Sequence, residues 1–393
     1  MTLADTPQPT ISLQRSRNLL REMSDQAVLE TVFRESPITR PELAARTGLS
    51  KPTVSEAVRR LIQARLIRSA GVRSGNLGRS PVSYIVDDAA GYVIGVDIGG
   101  TNIRVAAVDI FGELIVSRSE EQSPTKNRDL AHQVNSLVRE IARTTGATHS
   151  QLLAVGASLN PPFPGSIEAT TSDPLSLLRK NIGVPVFSDT GINLSAVGEK
   201  WRGLAKGVKD FVFVSVGASV GVGIVVADQL VRGSNSAAGN ISMLPNANKG
   251  GNARLGGSMD AASWLEQANS LHWTSEVPVT IGEIFGRADS EASSRELIAR
   301  EVESVAMAIA TITAVLDPEL VVIGGGIGSY PELLRPVQTR TESLLGREVR
   351  IETSQLSEQA ALYGALAVAL LDAHNQLFRA HTTPSAIAAL GGS

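Results

Sequence analysis

The chain has 393 residues, 42% hydrophobic and 19% charged, and no cysteine. Such a composition suits a soluble globular protein of two or three domains and excludes disulfides, thiolate metal sites and a cysteine nucleophile. The net charge of −3 is uneven: residues 13–86 hold 13 Lys and Arg against 6 Asp and Glu, which leaves −10 on the rest.

A basic front on an acidic body fits a DNA-reading module joined to a sensing domain. No apolar run approaches the roughly 20 residues that span a bilayer. The opening MTLADTPQPT lacks a secretory pattern, so a cytoplasmic chain without a membrane partner is expected.

Residues 1–12 are polar, hold two prolines and are expected to be disordered. A helix or two is predicted over 13–35, with Leu19, Leu20, Ala27, Val28, Leu29, Val32 and Phe33 as its apolar side. Residues 38–66 then read as two helices around a tight turn. Thr39-Arg40-Pro41-Glu42 forms a capping box with an early proline, Gly48 breaks the first helix, and Ser50 caps the second. In that second helix Val54, Val58, Leu61 and Ile62 recur at helical spacing and are predicted to face a core. Lys51, Thr53, Ser55, Arg59 and Arg60 are left for the outer face. The layout is that of a helix-turn-helix whose second helix enters a major groove; an ordinary helical hairpin is the alternative. Lys51 with Arg59 or Arg60 would contact phosphates and Thr53 and Ser55 base edges, with Arg40 and Ser50 beside them.

Leu66-Ile67 and Val82–Val86 read as strands around a Gly-, Arg- and Ser-rich loop, which makes the module a winged helix over residues 13–88. Arg73, Asn76 and Arg79 in that loop either reach phosphates or a minor groove, or lie on a solvated turn.

A second body begins near residue 89. Strands are predicted at Tyr92–Asp97, Asn102–Asp109 and Glu113–Ser117, the first pair joined by the Gly-rich turn Asp97-Ile98-Gly99-Gly100-Thr101. Glycines there let the backbone approach an anion and Thr101 adds a hydroxyl. A helix over 127–145, a strand over 152–158, a Pro-rich loop from Asn160 to Gly165, a strand over 184–188 and a helix over 191–202 follow. The theme then repeats: strands at 211–216 and 222–227 flank Gly217–Gly223, helices lie near 259–270, 279–288 and 292–316, and a strand at 320–323 enters Gly324–Gly328. An Ala/Leu-rich helix at 358–371 and a loose tail close the chain. Two related halves, each opening on a Gly-rich hairpin, predict a bilobed α/β fold with lobes over 89–205 and 206–355, a returning helix over 356–372 and a tail over 373–393.

Val96–Asn102, Gly217–Gly223, Arg232-Gly233, Ala237–Gly239, Asp317–Glu319 and Gly324–Gly326 together resemble the ROK family (repressors, open reading frames and sugar kinases) of the actin-like ATPase fold, over about residues 13–372. A winged helix ahead of such a body is similar to the repressor branch, in which a sugar bound in the cleft shifts DNA affinity. Family kinases use an aspartate as general base on the sugar hydroxyl. A gapless match on Pro185-Val186 and Asn193–Glu199 puts Gly191 at that position and Asp189 two residues early. Without a proton acceptor the roughly 10²–10⁴-fold contribution of a base is missing, so no enzyme activity is expected; a two-residue insertion would instead restore a kinase through Asp189.

The family's zinc loop carries one histidine and three cysteines. Met243, Ala253, Leu255 and Ser258 stand in this stretch, so the resemblance implies no zinc here, and no nucleotide or other cofactor is expected. The candidate effector residues are Gly100, Thr101, Asn160, Asn193, Asn240 and Asp260. The implied function is a DNA-binding repressor of carbohydrate-related genes, acting as a homodimer or homotetramer on a pseudo-palindromic operator. The open alternatives for the body are a sensor, a dimerisation scaffold with an empty cleft, or a constitutive DNA binder without effector.

Overall fold

The computed structural model describes residues 13–72, 81–87, 90–122, 127–146, 151–159, 174–218, 220–245, 254–255 and 259–378. These residues form two units. The first holds the described chain up to Tyr92, with Gln151 and Ala373–Phe378; the second holds the rest. Expectations for residues 1–12, 73–80 and 379–393 lie outside the described residues.

In the first unit, helix α1 (Leu13–Glu35) is a single helix. Strand β1 (Ile38–Thr39), helix α2 (Arg40–Thr47) and helix α3 (Lys51–Gln63) follow, then strands β2 (Ile67–Val72) and β3 (Val82–Val86). The local signals act as their chemistry requires. The Glu42 carboxylate accepts from the Thr39 N–H at 2.8 Å and the Thr39 hydroxyl at 2.7 Å. Gly48 closes α2 in the left-handed region at φ 69°, where a Cβ would be strained. Ser50 Oγ accepts from the Thr53 N–H at 3.3 Å and caps α3. Val54, Val58 and Leu61 are buried with Val28, Val32, Leu43 and Ile67. Ile62 departs from the expectation: it is 40% exposed, because it falls on the edge of the stripe that the other three fill. Sequence reading also misses β1, whose Ile38 and Thr39 pair antiparallel with Tyr84 and Ser83 and make the wing sheet three-stranded, in the order β1-β3-β2. Two residues are too few to show a period.

The second unit holds two five-stranded sheets of one topology. Strands β4 (Tyr92–Ile98), β5 (Asn102–Asp109), β6 (Leu114–Glu121), β7 (Leu152–Leu159) and β8 (Val186–Thr190) are ordered β6-β5-β4-β7-β8. Strands β9 (Phe211–Val216), β10 (Val220–Val226), β11 (Gln229–Val231), β12 (Leu320–Gly324) and β13 (Ile351–Thr353) repeat that order as β11-β10-β9-β12-β13. Every residue of β4 and β12 is buried, as strands covered on both faces require. Helices α4 (Asn127–Thr144), α5 (Ser176–Asn181) and α6 (Gly191–Arg202) belong to the first half. Helices α7 (Ala261–Asn269), α8 (Ile281–Gly286), α9 (Ala292–Leu316), α10 (Gly325–Gly328) and α11 (Pro331–Leu345) belong to the second. The last described helix is α12 (Ala360–Phe378), which ends seven residues beyond the expected end at 371. Gly364 on α12 meets α6 so closely that a Cβ would lie 1.8 Å from the Leu194 carbonyl, so this junction admits only glycine.

Candidate nucleic-acid interface and ligand cleft

The outer face of α3 is built from its cap outward. Ser50, Lys51, Ser55 and Arg59 are exposed and Thr53 is half-buried. Thr53 Oγ1 lies 2.8 Å from Ser50 Oγ, so the two hydroxyls form one unit at the helix start. Arg59 pairs with Glu56 at 2.6 Å while both stay more than half exposed, a pairing that a phosphate can replace at small cost. Arg40 is exposed, its guanidinium 5.1 Å above the ring centroid of buried Tyr84.

Arg60 requires a correction. Its guanidinium grips Asp25 of α1 through contacts of 2.6, 2.9 and 3.1 Å. The hydrogen bond to Asp25 raises the Arg60 pKa, with burial working against it. The side chain clamps α3 to α1 and is not offered outward. Arg73 and Arg79 lie outside the described residues.

In the second unit a cleft of about 320 Å³ opens among three Gly-rich turns, lined by Gly99, Gly100, Thr101, Gly217, Gly325 and Gly326, with Gly191 on its wall. Gly325 has φ 88°, and a Cβ on it would meet the Val216 carbonyl at 2.5 Å. Asp97, at the end of β4, accepts from Ser158 Oγ at 2.7 Å and from Arg104 Nη1 at 3.3 Å. Burial pushes the Asp97 pKa up, opposed by these two partners. Arg104 also donates to Glu358.

Asp189 is absent from this lining. Its Oδ2 accepts from Arg232 Nε at 2.7 Å, and its Oδ1 accepts from the Thr190 N–H at 2.7 Å and from Asn193 Nδ2 at 2.8 Å. Gly191 is the first residue of α6, capped by Thr190, so the position that faces the cleft has no side chain.

Of the effector candidates, Gly100 and Thr101 line the cleft. Asn193, Asn240 and Asp260 do not, because their polar atoms serve the local fold. Asn193 is buried and holds Asp189. Asn240 Oδ1 accepts from Ser242 Oγ at 2.5 Å, and Asp260 caps α7 by accepting from the Ser263 N–H at 2.8 Å. Asn160, Ala253 and Ser258 lie outside the described residues. Met243 is half exposed, with its sulfur 2.9 Å from Arg254 Nη1. The sequence marks Arg232 only as part of a family motif and gives Arg104 and Glu358 no role, because the partners of all three are distant in sequence.

A model of the ROK family matches residues 93–371, and a model described as winged helix-turn-helix DNA-binding matches residues 24–68. The chain is 24% identical to the xylose repressor of Caldicellulosiruptor bescii over 91% of its own length and 98% of that protein. It is 21% identical to the DNA-binding transcriptional repressor Mlc of Escherichia coli, covering 89% of this chain and 93% of that one. A β-glucoside kinase of Listeria monocytogenes is 28% identical over 69% of this chain and 94% of its own. Among solved structures, a ROK family transcriptional regulator homologous to Mlc superposes with a TM-score of 0.67 at 19% identity, covering 92% of this chain and 98% of that one.

Proposed function

The chain belongs to the ROK family, and from that premise we propose that it is a DNA-binding repressor of carbohydrate-related genes whose ROK body senses a ligand and phosphorylates nothing. One observation carries this reading. A winged helix-turn-helix shares the chain with a cleft where Gly191 stands on the wall and the neighbouring carboxylate, Asp189, is bound by Arg232. Similarity along nearly the whole chain to proteins named xylose repressor and Mlc repressor supports it.

In this reading Lys51 and Arg59 contact phosphates, Ser50, Thr53 and Ser55 face base edges, and Arg40, Arg73 and Arg79 add contacts from the wing side. One winged helix reads a half-site, so a homodimer or homotetramer on a pseudo-palindromic operator completes the complex, in the cytoplasm. The effector is a sugar, in keeping with the relatives' names. It lowers operator occupancy only by binding the DNA-incompetent state more tightly.

Titration of a DNA fragment from upstream of the protein's own gene tests the reading. Retardation that is relieved by xylose or another member of a sugar panel is expected. Failure to bind any such fragment, or to bind genomic DNA at all in a selection experiment, contradicts it. The second reading, a kinase acting through Asp189, is favoured by similarity to β-glucoside kinase and glucokinase. It predicts ADP release from ATP with some sugar, lost on Asp189→Asn; the repressor reading predicts none across the panel.

A further inference from the structure

Helix α3 carries one acidic side chain, Glu56, and it lies on the outer face. Val54, Ala57, Val58 and Leu61 are buried on the side that packs against α1 and α2, so the opposite side is the one open to a partner. Pro52, Glu56, Arg59 and Gln63 are all exposed there. Successive members are three or four residues apart, so they form one line along the helix. Glu56 stands within that line, one turn beyond Pro52. Thr53 is half-buried, toward the edge of the face.

The Glu56 carboxylate has two cationic neighbours. Arg59 Nη2 lies 2.6 Å from its Oε2, with both side chains more than half exposed. Arg60 Nη1 lies 4.0 Å away, but that guanidinium is committed to Asp25. When Arg59 turns to a DNA phosphate, Glu56 keeps its charge and loses its nearest counter-ion. A carboxylate so placed is repelled by phosphates and by acceptor groups on the bases. An ionised carboxylate accepts and cannot donate, so it is stable in the groove only opposite a donor. Cytosine N4 is the donor that matches it. Guanine N7 and O6 and thymine O4 are acceptors, and adenine N6 stands beside the N7 acceptor.

We propose that Glu56 determines operator specificity by accepting from the N4 amine of one cytosine in each half-site, and that its charge disfavours duplexes lacking that donor. Glu56 takes this role only if α3 enters the major groove as in the repressor reading. The Glu56–Arg59 pair then has two states. Off DNA the two side chains neutralise each other at the helix surface. On the operator Arg59 holds a phosphate and Glu56 holds the cytosine amine, so both charges are satisfied at once. On an unrelated duplex Arg59 still finds a phosphate, while Glu56 finds an acceptor or an apolar edge. Discrimination thus comes from repulsion at wrong sites as well as from the contact at the right one.

Selection of bound duplexes from a randomised double-stranded library by the full-length protein tests this role. The parent should enrich a motif with one C·G pair per half-site that Glu56→Ala no longer requires. Changing that pair to T·A in the enriched motif should weaken the parent about ten-fold and Glu56→Ala less than about two-fold. Glu56→Gln should exchange the preferred cytosine for adenine, because an amide matches adenine N6 and N7 together. Both substitutions are at an exposed position whose close pair lies on the helix surface, so the fold is kept. Arg59→Ala separates the ion pair from the acceptor: it should weaken binding to all duplexes alike and retain the cytosine preference. Identical motifs from the parent, Glu56→Ala and Glu56→Gln would overturn the role of Glu56 and leave the repressor reading in place. A parent that enriches no motif would overturn both.

Discussion

Arg60 and Asp25, 35 residues apart, form a bidentate ion pair with contacts of 2.6–3.1 Å that ties α3 to α1. Both side chains are about one-quarter exposed, which places the pair between a surface bridge and a buried one. Arg60→Ala is expected to cost about 1 kcal/mol of stability while leaving the salt dependence of DNA binding unchanged. Lys51→Ala should do the reverse: little effect on stability, with the slope of log affinity against log salt reduced by about one. Urea unfolding and binding titrations over a range of KCl separate the two.

The Asp189–Arg232 pair gives a second prediction. It is a structural contact, so Asp189→Asn and Arg232→Gln should each lower the thermal midpoint by about 2 °C. Their effects should fall short of additive by about 0.5–1 kcal/mol in a double-mutant cycle. No sugar phosphorylation should be gained or lost. A fully additive cycle would show that the two side chains do not interact in solution.

Glu301 makes stability depend on pH. It lies buried on α9, accepts from Trp264 Nε1 at 2.7 Å, and is pushed up to about 8 by burial, with the indole hydrogen bond opposing and Asp260 adding to the rise. The folded protein holds this proton more firmly than the unfolded chain, so the Glu301 contribution to stability is complete below pH 4.5 and is lost as pH rises toward 8. Glu301→Gln keeps an acceptor for Trp264 and removes the charge. It should flatten that slope and exceed the parent by about 2 kcal/mol at pH 8, as measured by urea unfolding at pH 5 and pH 8.

Glu291 works in the opposite direction. It is held down to about 2 by the Ser275 hydroxyl first and the Thr274 hydroxyl next, with backbone N–H donors from both residues. Its contribution is complete above pH 4.5 and is lost as pH falls through 2. Glu291→Gln should therefore show a shallower decline of thermal midpoint between pH 4.5 and 2 than the parent does.

These cases show which parts of the molecule the sequence discloses. The helix-turn-helix is legible because its signals are local: Thr39 with Glu42, Gly48, and Ser50 with Thr53 all act within three residues. The Gly-rich hairpins are legible because tight turns require glycine. Helix α11 escapes notice because Pro336 interrupts it, although Leu333, Val337 and Thr341 are buried at four-residue spacing. Strand β13, three residues long, shows no period. The polar site candidates mislead for a different reason. Asn193 and Asp260 have donors and acceptors suited to a sugar, but those atoms serve local contacts, with Asp189 four residues earlier and as the cap of α7, which a reading for sugar ligands does not weigh. Arg104 and Glu358 are 254 residues apart, and no local pattern joins them.

Operator preference in the proposed repressor resides on the outer face of α3. Fluorescence anisotropy of a labelled operator fragment against excess nonspecific DNA, with the parent and with Lys51→Ala combined with Thr53→Ala, tests it most directly. The account predicts that the double variant folds with its body unchanged, keeps weak salt-sensitive binding to any DNA, and loses preference for the operator by at least about 100-fold. Undiminished preference for the operator in that variant would contradict it.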